Sequence, residues 1–522
     1  MIFIDPLFLF VFLPATLLAF YLATWFWGRN AALLVIFLAS LIFYVPYGIS
    51  SAVLLLMALL VNFSVAVALL RLPDGHPRRG RLYGLGQFYN IASLLYFKYK
   101  IVSVILGGGG NLMTDVAGVA IPAGISFYTF HQAAFLADAY GREKSVVEFF
   151  QDIRSLKAGF WAFCRYGAFV SFFPQLIIGP ITYFHEFHPQ VRSRKFLHFD
   201  PVNIAVGLAF VSIGMFKKVV IADNIAPTVD IVFGAAQVGA VMDPAHAWIG
   251  ALSYMAQLYF DFSGYSDMAL GLARMFGLRY PINFFSPFKA TGIIDYYRRW
   301  HMTLTRVIAR FLFTPLSIAG TRYSLERRLP PVPAQIVSLW IPIMINFQII
   351  SLWHGATWTF VAFGVMHGLW YASEAQIRAS KTYRTMRKTA SPFVRLSIER
   401  AIFFVLLCLS LSMFRSESVG AALHLYAQMF GASPGAPSTF EMREPVFILL
   451  CAFSIIYFMP NGVELLRRYR PAIMTYENES YGFTFLRSLW RPSWAWAMFA
   501  GVLTVSSLFY VGRQPPFLYQ GF

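Results

Sequence analysis

The sequence predicts an all-α, polytopic membrane protein, and three observations carry that prediction. Hydrophobic residues make up 58% of the 522 and charged residues only 13%, against about 45–50% and about 25% in soluble domains. The apolar runs Pro6–Trp27, Ala31–Tyr47, Ala52–Leu70, Gln335–Trp353 and Trp494–Val511 have, or nearly have, the ~20 residues a helix needs to cross a bilayer. Basic residues gather in short loops between such runs, as the cytoplasmic loops of membrane proteins do. Backbone polar groups cannot be left open to lipid, so the spans are helices or closed barrels, and the run lengths exclude barrel strands.

The N-terminus, MIFIDPLFLF, lacks the basic start and small-residue cleavage site of a signal peptide, so the first helix is expected to stay. Arg71, Arg78, Arg79 and Arg81 place the loop after the third run in the cytoplasm and the N-terminus outside. Two more runs follow near Leu85–Leu106 and Val119–Tyr140, separated by Gly107–Gly110. Pro174, Gly179 and Pro180 interrupt the segment Gly159–Phe184, so FFPQLIIGPI (Phe172–Ile181) reads as a broken, re-entrant element and a candidate cavity wall. The basic loops near Arg322–Arg328 and Arg378–Arg400 require an even number of crossings between them. Gln335–Trp353 and Trp358–Tyr371 supply two arms, which puts Trp353-His354-Gly355 at the turn far from the cytoplasm. The count is about 12 crossings, both termini outside, in one integral-membrane domain spanning residues 1–522.

The net charge of +18 is explained by those loops rather than by nucleic acid, for which no groove of basic and stacking aromatic residues is recognisable. Cys164, Cys408 and Cys451 lie in apolar stretches without CxxC spacing, giving neither a disulfide framework nor a metal site. No P-loop, GxSxG or HExxH is present, and no His is followed five residues later by Asp. This argues against a pump with its own nucleotide site and against a serine or zinc hydrolase.

Histidines in apolar surroundings remain. An ionisable residue inside a membrane segment is costly, so His354 is either functional or a neutral imidazole gluing helices. Gly355 beside it lets a substrate or another backbone come close. His301 opens a basic, partly amphipathic stretch with Arg306 and Arg310. That stretch is either an interfacial helix or a cytoplasmic mouth where Arg298 and Arg299 attract an anionic donor. Asp261, between Phe260 and Phe262, is expected to pair with an Arg such as Arg298 or Arg299, with catalysis the alternative. His131 and His367 read as helix glue, and His185, His188 and His198 as solvated.

These residues fall in longer phrases, in order: PAGISFYTFHQ (Pro122–Gln132), FFPQLIIGPI, YFDFSGYSDMALGLARMFGLRYPINF (Tyr259–Phe284), YYRRWHMTL (Tyr296–Leu304), LWHGATWTFVAFGVMHG (Leu352–Gly368) and MFRSES (Met413–Ser418). By them the chain resembles the bacterial branch of the membrane-bound O-acyltransferase family, which serves alginate and other exopolysaccharides, with D-alanyl transfer to teichoic acids a more distant cousin. The motifs concentrate in residues 120–418. The resemblance implies a ring of roughly 11–13 helices, with re-entrant and interfacial elements, around a central tunnel. It also implies a thioester donor, most simply acetyl-CoA, on the cytoplasmic side of the inner membrane, no bound cofactor, and a hydroxyl acceptor outside. The acceptor is an exported polysaccharide or an extracytoplasmic acetyltransferase that relays the acetyl group.

The family's two histidines map onto His354, the expected general base, and His301. Arg298, Arg299, Trp300, Asp261, Asn283 and Trp353 are the candidate substrate-binding residues. After YYRRWHMTL the chain departs from its relatives, where a Trp-Phe-Arg-Asp-Tyr run is common. Here Ala309-Arg310 stands in place of the Arg-Asp pair, which replaces an ion pair with a lone cation near the donor's entry. A transporter and a scaffold for an export complex are the rival readings. The transporter would share the intramembrane His and Asp and the broken helices.

Overall fold

A computed structural model describes residues 2–99, 122–151, 153–431, 441–473, 490–511 and 517–518. Among these residues it is built of helices, with no strand beyond one isolated bridge between Pro281 and Ile473. The first three apolar runs form α1 (Phe8–Trp27), α2 (Arg29–Tyr47) and α3 (Ile49–Arg71). The next two appear as α4 (Pro77–Tyr99) and α5 (Ile125–Tyr140); Gly107–Gly110 lies outside the described residues. There follow α6 (Leu156–Ser171), α7 (Pro201–Gln237), α8 (Pro244–Met275), α9 (Met302–Glu326), α10 (Pro331–His354) and α11 (Trp358–Ala379). The series ends with α12 (Pro392–Arg415), α13 (Val419–Met429), α14 (Arg443–Phe458) and α15 (Trp494–Tyr510).

Seven of these among the described residues, α1, α2, α3, α7, α9, α10 and α12, are long and apolar enough to cross a bilayer, which makes the chain a multi-pass membrane protein. The larger sequence-based count also included shorter and interrupted runs. The stretch after His301, read as an interfacial helix or a cytoplasmic mouth, continues as α9, whose 25 residues meet the length and composition of a span.

Helix α8 is the centre of the packing. From Ser253 to Met275 every side chain is buried, enclosed by protein rather than lipid, so the helix can carry Asp261, Ser266, Asp267 and Arg274 without being apolar throughout. Its neighbour α7 meets it glycine to glycine. A Cβ on Gly214 would stand 2.4 Å from the Gly264 carbonyl oxygen, and one on Gly271 2.6 Å from that of Gly207. Small residues are what let two helices approach this closely in a membrane.

At that contact α7 widens into a π-helical stretch, Phe216–Ala222. Two consecutive lysines from it reach carboxylates in the core: Lys217 Nζ lies 2.6 Å from Asp267, and Lys218 Nζ lies 2.7 Å from both Asp261 and Asp223. The expected pairing of Asp261 with Arg298 or Arg299 is therefore incorrect. Helix α7, rather than the arginine stretch, lies against the acidic positions of α8; Arg299 pairs with Asp295 at 2.8 Å and Arg298 is exposed. The Leu518 backbone N–H donates to the other Asp261 oxygen at 3.1 Å.

Residues 172–183 form the broken element expected from Pro174, Gly179 and Pro180. Helix α6 stops at Phe172, a single turn follows (Phe173–Leu176), and the chain then runs extended and buried to Tyr183. Its polar groups are met by protein: Phe173 N–H by Ser40 Oγ (3.0 Å), Ile181 N–H by Thr303 Oγ1 (3.1 Å), Thr182 N–H by His131 Nε2 (3.1 Å), and the Ile181 carbonyl by Arg306 (2.7 Å). His131 also uses Nδ1, on the Phe127 carbonyl at 2.8 Å, so both its ring nitrogens hold the fold.

Two further expectations change. Arg310, read as a cation without its ion pair, meets Asp138 of α5 at 2.5 Å; the carboxylate missing from its neighbour in sequence is supplied across the fold. His188 is buried, stacked on Phe184 (5.1 Å) and edge-on to Phe149 (5.7 Å), because it lies on the inner face of the short helix Phe184–Arg192. His198 is exposed as expected, and His185 half-exposed.

Removing Lys218 leaves two buried carboxylates facing each other without a counter-charge. Lys218→Met is expected to cost about 3–5 kcal/mol, read as a fall in membrane-resident protein and in the melting temperature of the detergent-solubilised chain. Lys217→Met, with one carboxylate at stake, should cost less.

Candidate active site

His354 is the last residue of α10, and α11 starts four residues later. The two helices are tied as a hairpin by Ser351 Oγ donating to the Phe360 carbonyl and by Gln348 Nε2 donating to that of Val361 (3.2 Å). This fixes the end of α10 and with it the imidazole, which is 8% exposed and packed edge-on to Phe414 at 5.0 Å. Gly355 was expected to admit a substrate or a second backbone. The neighbour that needs the space is instead the Phe360 ring: a Cβ on Gly355 would meet its Cε2 at 2.4 Å. The backbone there is extended, so the requirement is one of room.

His301 sits at the end of a polar chain that begins at the broken element, from Ile181 through Thr303 and Asn283. It precedes α9 in a left-handed conformation (φ +43°), uncommon for a residue with a Cβ and a form of stored strain found at functional positions. Its Nδ1 lies 2.9 Å from Asn283 Oδ1. The same oxygen accepts from the Thr303 hydroxyl (2.9 Å) and its backbone N–H (3.4 Å), while Thr303 Oγ1 accepts from the Ile181 N–H. The Asn283 amide is held from its other side by Ser266 at 3.2 Å. The broken element thus positions His301 through Thr303 and Asn283. It is not among the residues that line the cavity beside His301.

That cavity, of about 50 Å³, is where the sequence-predicted residues converge: His301, His354 and Trp300 all line it. It has room for a few waters or a small acyl group. No Asp, Glu, Lys or Arg is among its lining residues. Trp300 forms a wall, stacked on Tyr296 at 5.4 Å. The other predicted residues stand apart from the lining. Asn283 is behind His301, Asp261 is in the lysine cluster, Arg299 is paired with Asp295, and Arg298 is exposed. Trp353 packs on Phe130 at 5.9 Å with Lys98 Nζ 4.6 Å over its ring.

Two lining residues were missed by the sequence reading. His367 ties two helices, as expected of helix glue, through a 2.8 Å hydrogen bond to Tyr297, and both residues also line the cavity. The available signal was spacing: His367 follows His354 on the other arm of a hairpin, close enough for both rings to share one face. Lys98 lies at the end of α4 and nothing in its local sequence ties it to Trp353.

The chain matches the family model described as "MBOAT, membrane-bound O-acyltransferase family" over residues 20–325. It is 35% identical to the peptidoglycan O-acetyltransferase of Helicobacter pylori over 387 residues, covering 71% of this chain and 69% of that protein. It is 32% identical to the probable alginate O-acetylase AlgI of Azotobacter vinelandii over 438 residues, 82% of this chain and 78% of that one. Similarity to the teichoic acid D-alanyltransferase of Streptococcus thermophilus is lower, 26% over 42% of this chain and 52% of the other.

Gly355→Ala forces the Phe360 ring off its present position against His354 and is expected to destabilise by about 1–3 kcal/mol, the usual cost of overpacking. A second change, Phe360→Leu, should recover part of the lost melting temperature; full stability in the single variant would contradict the packing described.

Proposed function

Because the chain belongs to the membrane-bound O-acyltransferase family, we propose that it moves an acetyl group from a cytoplasmic thioester, acetyl-CoA or a related acyl thioester, to a hydroxyl outside the cytoplasmic (inner) membrane. The chain is an acyltransferase, and its relatives carry the names of O-acetyltransferases acting on peptidoglycan and alginate. The acceptor is an exported glycan, reached directly or through an extracytoplasmic acetyltransferase. The observation that carries this reading is the pair of imidazoles, His354 and His301, on one cavity.

An alcohol is a poor nucleophile near neutrality and needs a base within hydrogen-bond reach, a role worth ~10²–10⁴-fold that an imidazole suits. In the proposed reaction His354 takes the hydroxyl proton as the oxygen bonds to the acyl carbon. The carbon–sulfur bond then breaks, and the His354 imidazolium returns its proton to the leaving thiolate. His301 presents Nε2 as an acceptor, since its Nδ1–H is committed to Asn283, and assists the reaction by accepting a hydrogen bond from the attacking hydroxyl. The exposed Arg298 is suited to the phosphates of a donor that stays outside the cavity.

Cells fed labelled acetate, followed by counting alkali-labile label in exported glycans, test this reading. His354→Ala, present in the membrane at normal level, should lower incorporation at least ~10²-fold, and His301→Ala should lower it too. Undiminished ester formation in His354→Ala would refute the assignment. Incorporation of D-alanine in place of acetate would move the donor to the other branch of the family.

A further inference from the structure

Three imidazoles line the cavity, and the hydrogen bonds behind two of them decide which nitrogen carries the proton. Asn283 Oδ1 accepts from the Thr303 N–H and hydroxyl, which identifies it as the amide oxygen; His301 Nδ1 must therefore donate to it, leaving Nε2 as a bare acceptor. His367 is the reverse case. Its Nδ1 lies 2.8 Å from the Tyr297 hydroxyl. That hydroxyl has no other hydrogen-bond partner among the described residues; if His367 donated, both the Tyr297 proton and the Nε2 lone pair would be left open, whereas donation by Tyr297 leaves one group open. Tyr297 then gives its proton to Nδ1, and His367 carries its own on Nε2.

His367 Nε2 has no partner among the described residues, although the ring is only 1% exposed. The surroundings offer none: Phe363 packs at 4.0 Å, Trp370 at 5.8 Å and Phe347 at 6.2 Å. A buried donor left open is costly, and such groups persist where a ligand or reacting atom completes the bond. Acyl transfer places one there. When a hydroxyl adds to a thioester, the carbonyl oxygen gains negative charge, and fixed donors in a water-poor site stabilise it.

We propose that His367 is a further catalytic residue of this acyl transfer, its Nε2–H donating to the carbonyl oxygen of the acyl thioester, and that Tyr297 is a positioning residue that holds it in the donating tautomer. The oxygen takes up the electron pair as the hydroxyl adds and returns it as the carbon–sulfur bond breaks. His367 moves no proton. The inference rests on the acyltransferase reading above.

The test compares His367→Leu, His367→Gln and Tyr297→Phe with wild type and His354→Ala, each normalised to folded, membrane-resident protein by melting temperature. Labelled acetate incorporation in cells gives the overall rate, and titration of labelled acetyl-CoA on inverted membrane vesicles separates kcat from KM. His367→Leu is expected to lower kcat about 10²–10³-fold, the usual effect of removing one such donor, with KM changed less than about threefold. Gln offers an N–H near the position of Nε2 and should restore at least roughly a tenth of the wild-type rate. Tyr297→Phe, which frees the tautomer, should lower kcat with KM unchanged.

Equal loss in the Leu and Gln variants would reduce His367 to a packing role and overturn the proposal. So would a His367→Leu rate within about threefold of wild type while His354→Ala is dead. Where the Leu variant fails to fold, the Gln and Tyr297→Phe pair decides in the same way. Activity surviving in His354→Ala would count against the acyltransferase mechanism itself, separately from His367.

Discussion

Inside a bilayer no water is at hand for an interrupted backbone, and the polar side chains around residues 172–183 follow from that constraint. Once proline and glycine break the helix, each freed amide needs a protein acceptor. Ser40, Thr303 and His131 supply three of them. Thr303 answers the break on one side and Asn283 on the other, so its hydroxyl carries the position of the broken element through to His301. The strained, left-handed backbone at His301 persists because the Asn283–Thr303 arrangement holds the ring and the following turn together. What looks like a structural repair in the sequence is thus the support of a reactive side chain.

The same constraint organises the charges. A carboxylate among phenylalanines is tolerable when a lysine and a backbone N–H complete its shell, as Lys218 and Leu518 do for Asp261. Adjacent residues on an α-helix diverge by about 100°, so two neighbouring lysines would not ordinarily serve the same buried face. The π-helical stretch at Phe216–Ala222 alters that spacing where α7 lies glycine to glycine against α8. Close packing and charge pairing are one feature there: the approach that glycine permits brings the ammonium groups within 2.6–2.7 Å of their carboxylates.

Periodicity and run length were enough to read α1, α2, α3 and the α10–α11 hairpin, because each is a local property of an apolar stretch. The break at Phe172 was legible for the same reason, since proline and glycine act on their own backbone. Partners across the fold were not. Asp261 gave no sign of choosing Lys218 over Arg299, nor Arg310 of choosing Asp138, because pairing depends on which helices become neighbours. His354 was legible as a costly residue near a turn. His367 has the same chemistry in a less conspicuous setting, and only the hairpin's closure shows that it shares a cavity with the other two.

The cavity's neutrality bears on how a thioester and an alcohol could be made to react there. Both are uncharged, and a site lined by Asp, Glu, Lys or Arg would have to desolvate a charge before any chemistry began. The lining contains three imidazoles among aromatic and aliphatic walls, while the arginines once assigned to substrate stand outside it. On the proposed reading this divides the donor: the anionic part is met by the exposed Arg298 guanidinium, and the acyl end alone enters. Charge then appears in the cavity only as the reaction proceeds, on the carbonyl oxygen and on the imidazole that takes the proton. Groups fixed in place by Asn283 and Tyr297 are already oriented for it.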